Sequence, residues 1–209
     1  MNILKSLNWR YATKKFDTTR KVSSTDLEIL KEAVRLSASS FGLQPYKVIN
    51  VEDKELREKL KAASYGQPQV TDASNLFVFC AYTNLTSGHI DKYINLTATT
   101  RNINPAELKG FGDSMKGSFA NITPEQNYVW AAHQPYIALG NLLNTCALMD
   151  IDACPMGGID ADKYDEILGL SKQGLRAEMI ATIGYRSEED ATQHWAKVRK
   201  PLDEIFETR

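Results

Sequence analysis

The sequence predicts an α+β fold, and three observations predict it. Residues 123–149 carry a strong signal for one long helix, and the apolar run from Leu76 to Tyr82 reads as a buried strand. Helical and extended segments then alternate irregularly, unlike a repeated βαβ array. With 209 residues and 43% hydrophobic content, one domain spanning residues 1–209 can bury its own core.

The first helix is expected over Ile3 to Tyr11. A second follows Thr25, which precedes Glu28 by three residues as in a capping box, and Leu27, Leu30 and Val34 give it one apolar face. Pro45 drives the residue before it out of helical geometry, and Lys47 to Val51 alternates like a half-buried strand. A helix is expected from Asp53 to Ser64. Asn75 to Tyr82 reads as a central strand because both its faces are apolar.

From Gly88 to Ala120 apolar residues are sparse, and one or two short mobile helices are expected. Thr123-Pro124-Glu125-Gln126 then starts a helix: a capping hydroxyl, proline in the first turn and Gln three residues after the cap. Val129, Ala132, Tyr136, Ile137, Gly140, Leu143 and Ala147 recur at helical spacing up to Met149. Small Ala131, Ala132, Ala138 and Gly140 would admit a close neighbour, so this is a central packing or dimer helix, with a kink expected at Pro135. A shorter helix from Asp160 to Gly169 and a strand from Glu178 to Tyr185 complete the reading.

Several function classes are excluded by composition. The 25 basic and 26 acidic side chains nearly cancel, so no overall field draws the chain to nucleic acid or an anionic membrane. The longest apolar run is too short to span a bilayer, and Met1 to Lys5 opens no leader-like apolar stretch, so a cytoplasmic location is expected. Cys80, Cys146 and Cys154 form an odd set without a C-x-x-C pair, which reads as reduced core thiols. No dinucleotide-binding glycine motif, phosphate loop, nucleophile elbow or H-E-x-x-H is present. His89, His133 and His194 are scattered, so no metal site is expected, and His133 reads as a core or interface residue.

Short polar motifs carry what chemistry there is. Arg10-Tyr11-Ala12-Thr13-Lys14 stands where the first helix stops, and Lys197-Val198-Arg199-Lys200-Pro201 lies near the C-terminus. Arginine offers a planar fork for phosphate oxygens and lysine a mobile charge, so brought together they would hold a phosphate dianion. Taken singly, each run is more often a solvated surface. Ser37 to Pro45 is a hydroxyl- and glycine-containing turn, read evenly as a chain reversal or as a hydrogen-bonding edge for a planar ligand. The amides of Gly66-Gln67-Pro68-Gln69 both donate and accept, and Gly157-Gly158 would let an aromatic ring approach the backbone.

Together these motifs resemble the oxygen-insensitive NAD(P)H nitroreductase and FMN reductase family. Arg10 to Lys14 is similar to its N-terminal Arg-to-Lys element, and Ser39-Ser40 with Gln44-Pro45 to its Ser-Ser-x-x-x-Gln-Pro-Trp turn. Gln67-Pro68-Gln69, Asp72-Ala73-Ser74, Gly157-Gly158 and the pair Lys197 and Arg199 follow in the family's order. The resemblance implies a central, mainly antiparallel sheet flanked by helices and an intertwined homodimer exchanging its C-terminal segments. It implies that Arg10, Lys197 and Arg199 grip the phosphate of FMN, with Tyr11 and Ala12 in the same element and Lys14 near the pyrimidine edge. Gln67 and Gln69 would bond the ribityl chain or ring edge, Gly157 and Gly158 would flank the isoalloxazine, and Ser39 and Ser40 would arrive from the other subunit. Three positions depart from the pattern: Tyr46 replaces Trp, Gly42 stands where Asn is frequent, and Gly157 where many carry Glu.

The implied activity is ping-pong reduction by NAD(P)H of electron-poor acceptors such as nitroaromatics, quinones or flavin. The flavin does the chemistry, so no catalytic side chain is named. Residues 88–120 are expected to roof the site, with Phe119 either stacking on substrate or packing as a core aromatic. A flavin storage or sensing protein and a dehalogenase-like enzyme on the same scaffold are the competing readings.

Overall fold

The structure is a computed structural model that describes residues 3–209; Met1 and Asn2, part of the stretch read for a leader, lie outside the described residues. Its centre is a four-stranded sheet in the order β1-β2-β4-β3, formed by β1 (Tyr46–Val51), β2 (Asn75–Tyr82), β3 (Asp152–Met156) and β4 (Leu175–Gly184). All its pairings are antiparallel. β2 and β4 are interior and buried along nearly their whole length, as an apolar-on-both-faces strand must be.

Alternation along β2 divides the core in two. Leu76, Val78 and Cys80 point into one cluster with Leu60 of α3 (Lys54–Ala62), Val70 of the single-turn α4 (Gln69–Asp72) and Tyr164 of α8 (Ala161–Leu168). Phe77 and Phe79 point into the other, against Leu30 and Val34 of α2 (Ser24–Arg35) and Leu139 and Leu142 of α7 (Pro124–Leu148). Burying each such phenyl ring contributes on the order of 2–3 kcal/mol. The β4 register slips by one residue, leaving Glu178 unpaired between Ala177 and Met179. That bulge switches the strand's face: Leu175 and Ala177 serve the first cluster, Met179, Ala181 and Ile183 the second.

Several expectations are corrected. The first helix, α1 (Ile3–Trp9), stops two residues before Tyr11. The cap of α2 is Ser23, whose side chain accepts from the Asp26 N–H, rather than Thr25. Residues 88–120 hold substantial helices, α5 (Ser87–Arg101) and α6 (Lys109–Phe119), instead of short ones. They need few apolar residues because they build only a satellite core of Ile90, Ile94 and Met115, and Thr86 with His89 caps α5. Helix α7 runs through Pro135, but buries Ala131, Ala138, Leu142 and Cys146, while Val129, Tyr136 and Ile137 are exposed. A helix apolar on two sides does not reveal by periodicity which side meets the sheet. His133 is exposed, not in the core. Strand β3 went unread because Asp152, Cys154 and Pro155 mask its pattern. The three cysteines are buried and free, and burial pushes the Cys80 and Cys146 thiols up to about 12.

Candidate functional site

Both ends of the chain meet at one cavity. After α1 the chain leaves the helix with the Arg10 N–H on the Ser6 carbonyl (3.1 Å) and runs extended beside the sheet. Ala12 bridges Ala153 of β3, Phe16 bridges Arg186, the Asp17 N–H donates to the Tyr185 carbonyl (2.8 Å), and the Ser187 N–H to the Lys15 carbonyl (2.9 Å). The N-terminal arm is thereby zipped to the loop after β4. Asp190 ends the zipper: it accepts from the Tyr11 hydroxyl (2.9 Å), the Lys14 N–H (2.8 Å) and the Lys15 N–H (3.1 Å). Beyond it the C-terminal segment returns, and Lys197 Nζ donates to the carbonyl of Leu7 (2.5 Å) and to that of Arg10.

The cavity so enclosed has a volume of about 380 Å³. Its lining includes Arg10, Tyr11, Ala12 and Lys14 from the N-terminal side, Lys197 and Arg199 from the C-terminal side, and the rings of Trp9 and Trp195. Among the described residues no carboxylate forms an ion pair with Arg10, Lys14, Lys197 or Arg199. Burial first, then the charge of Arg199, pulls the Arg10 guanidinium below its ordinary value; burial, Arg10 and Arg199 do the same to Lys197. Such crowding raises the cost of each charge until an anion joins them.

The remaining predicted residues fall in two other places. Gln67 Nε2 donates to the Gly158 carbonyl (3.3 Å), bringing the Gln-Pro-Gln turn to the glycine pair at the end of β3. Gln69 is buried at the start of α4, whose carbonyls are held by Arg57. A Cβ at Gly157 would meet no atom within 4 Å. Lys14 and Arg10 both act electrostatically on Cys154, so β3 passes beside the cationic cavity.

Ser39, Ser40 and Phe119 do not line that cavity. Ser39 Oγ accepts from the Gln44 N–H (2.9 Å) and the Ser40 N–H donates to Gln134 Oε1 (2.8 Å). Between them the backbone is left-handed at Phe41 (φ 57°), Gly42 (φ 75°) and Gln44 (φ 43°), which is strain for the two non-glycine residues. Phe119, half-buried, packs edge-on against Trp130 at 4.7 Å and Phe41 at 6.3 Å between ring centroids.

Sequence reasoning missed Asp190, Trp9, Trp195 and the Asp152–Arg186 pair. Arg186 Nε donates to Asp152 Oδ1 (2.8 Å), and its guanidinium lies 4.1 Å from the Trp9 ring and 4.6 Å from the Tyr11 ring. A signal for Asp190 was present: Asp190-x-Thr192 is a local turn spacing, here hidden in the acidic run Glu188-Glu189-Asp190.

The Nitroreductase family model matches residues 7–185. A Staphylococcus epidermidis protein named "Putative NAD(P)H nitroreductase" is 37% identical over 213 residues, covering 98% of this chain and 95% of that protein. Among solved structures, a Bacillus subtilis protein described as a "putative nitroreductase" matches with a TM-score of 0.88 at 23% identity, over 99% of this chain and 98% of that one. A nitroreductase-described protein of Exiguobacterium sibiricum, solved in complex with FMN, matches with a TM-score of 0.84 at 20% identity, over 100% and 98%. The structural likeness establishes the fold, and on the family model and the curated relative together the chain belongs to the Nitroreductase family, a family of oxidoreductases.

Proposed function

We propose that this chain is a cytoplasmic, homodimeric, FMN-dependent NAD(P)H oxidoreductase that reduces small electron-poor acceptors such as nitroaromatics, quinones or free flavin in a ping-pong order. The observation that carries the reading is the group of four cations, from opposite ends of the sequence, lining one cavity with no carboxylate among the described residues paired to them. A phosphate monoester is their natural complement: a dianion accepting from an arginine fork and from lysine ammonium groups at once. The Exiguobacterium sibiricum relative, solved with FMN, supports the identity of that anion.

The rest of the site fits a flat ring system attached to such a phosphate. The open backbone at Gly157 and Gly158 allows close approach of a ring, and Gln67, its Nε2 held by the Ser64 and Gly158 carbonyls, offers its Oε1 as an acceptor beside the amide of Gln69 for a polyol chain or ring edge. Bound FMN supplies reversible two-electron chemistry between NAD(P)H and the acceptor. The chain's own part is to grip the phosphate through Arg10, Lys197 and Arg199, to hold Lys14 as a positive charge beside the ring, and to exclude water. Ser39, Ser40 and Phe119 stand apart from the cavity, so in this reading they serve the site across the dimer. The exposed apolar side chains Val129, Tyr136, Ile137, Ile205 and Phe206 support such an association.

Purification decides the matter. The protein is expected to be yellow and to release FMN on denaturation; NAD(P)H should bleach the colour and a quinone restore it. A colourless protein that FMN does not reconstitute overturns the proposal.

A further inference from the structure

Asp190 is a carboxylate in the wrong place for an anion site. It is 2% exposed, and it stands one hydrogen bond from residues that line the cationic cavity. A buried carboxylate ordinarily sits against a cation. Asp190 makes no ion pair among the described residues, and every hydrogen bond it accepts is from a neutral donor. Its Oδ2 takes the Tyr11 hydroxyl and the N–H groups of Lys14 and Lys15; its Oδ1 takes the N–H (3.0 Å) and hydroxyl (2.6 Å) of Thr192. Both oxygens are thus saturated, one by each end of the chain.

That division has geometric consequences. Two successive amides aimed at one oxygen fix the backbone at residues 14–15, so that Lys14 lines the cavity while Lys15 turns outward to pair with Glu189. On its other side Asp190 caps the turn Ala191–His194, from which the chain emerges at Trp195 toward Lys197 and Arg199. The zipper of residues 12–17 along 185–187 brings the arm this far, and Asp190 sets its final register against the returning tail.

We propose that Asp190 is the positioning residue of the phosphate cradle: by binding both chain ends at once it sets the spacing between Arg10 and Lys14 on one side and Lys197 and Arg199 on the other. It touches neither phosphate nor ring, and the inference rests on the flavin reading above.

Electrostatics and positioning predict opposite signs, which makes the test sharp. Removing a negative charge beside a phosphate site should tighten binding if charge were all that mattered. Asp190→Asn removes that charge, yet its amide can accept on one side only and turns an N–H toward donors on the other. Dissociation constants for FMN and for riboflavin, which lacks the phosphate, are measured by flavin fluorescence on wild type and variant. The expected result is a fall of about 30-fold in the preference for FMN over riboflavin, with riboflavin affinity within about twofold of wild type. Unchanged or tighter FMN binding overturns the proposal. If Asp190→Asn does not melt cooperatively, Thr192→Val carries the test: a fall of about threefold in the same preference supports it, and no change overturns it. A wild-type chain with no preference for FMN sinks the flavin reading itself, a result distinct from a variant that matches a phosphate-selective wild type.

Discussion

Arg57 and Arg186 have their donors taken up by the fold, whereas Arg10 and Lys14 of the terminal cavity do not, and Lys197, bound to the Leu7 and Arg10 carbonyls, stands between the two classes. Arg57, buried in α3, donates to the carbonyls of Val70 (2.7 Å), Ala73 (2.6 Å) and Ser74 (3.2 Å), and so ties α3 to the entry of β2. Arg186 pairs with Asp152, its guanidinium lying against the rings of Trp9 and Tyr11. Arg10, Lys197 and Arg199 instead crowd one another, and with Lys14 line a cavity where no carboxylate among the described residues pairs with them. A cation whose donors the fold takes up holds the fold; one left with donors to spare holds something else. The two classes should therefore respond oppositely to mutation, the first in stability and the second in ligand affinity.

The largest effect tests the first class. Arg57→Ala removes the donor from three carbonyls that burial cuts off from water, and should cost about 3–5 kcal/mol in urea unfolding. A cost under about 1 kcal/mol would erase the distinction. Next is Asp190, whose carboxyl burial would raise but which the hydrogen bonds from Thr192, Lys15, Lys14 and Tyr11 bring down from 3.8 to about 2. Because the folded value is the lower one, its contribution is complete above pH ~4 and is lost as pH falls toward ~2, about 2 kcal/mol in all. Asp190→Asn should accordingly be less stable than wild type at neutral pH, with the gap closing at the acid end. A pH-independent gap would assign the effect to packing.

The same contrast explains what was legible in the sequence. Strand β2 was read at its true bounds because burial on both faces is written directly as an unbroken apolar run. The cap at Thr123 was readable because a cap bonds only its near neighbours. The cationic motifs at Arg10 to Lys14 and at Lys197 and Arg199 were visible as types, but their convergence was implied only by the family resemblance and not by spacing: it depends on backbone pairing between residues 12–17 and 185–187, far apart in sequence. Asp190 was lost for a related reason. Its two acidic neighbours in sequence carry the signature of a solvated surface, and only tertiary structure separates it from them. The side of α7 that meets the sheet was left open, because Val129 and Leu142 are equally apolar and only the sheet chooses between them.

Two smaller effects sharpen the comparison from the other side. Arg199→Ala should leave urea unfolding of the flavin-free protein unchanged or slightly improved, since a repulsion with Arg10 and Lys197 is relieved, while FMN affinity falls about tenfold. Retained affinity would remove Arg199 from the phosphate grip.

The smallest concerns Glu189, adjacent to Asp190 and paired with Lys15 across the same zipper. Both its partner and itself are largely in water, with side-chain exposures of 54% for Lys15 and 74% for Glu189. In that setting the gain from attraction is offset by hydration and by the entropy of holding two long side chains together. Glu189→Gln should therefore shift the thermal midpoint by less than about 1 °C and leave FMN affinity unchanged. A large change in affinity would mean that the charge of the acidic run itself, and not the hydrogen bonds of Asp190, governs the cavity, because Glu189 shares the first property and lacks the second.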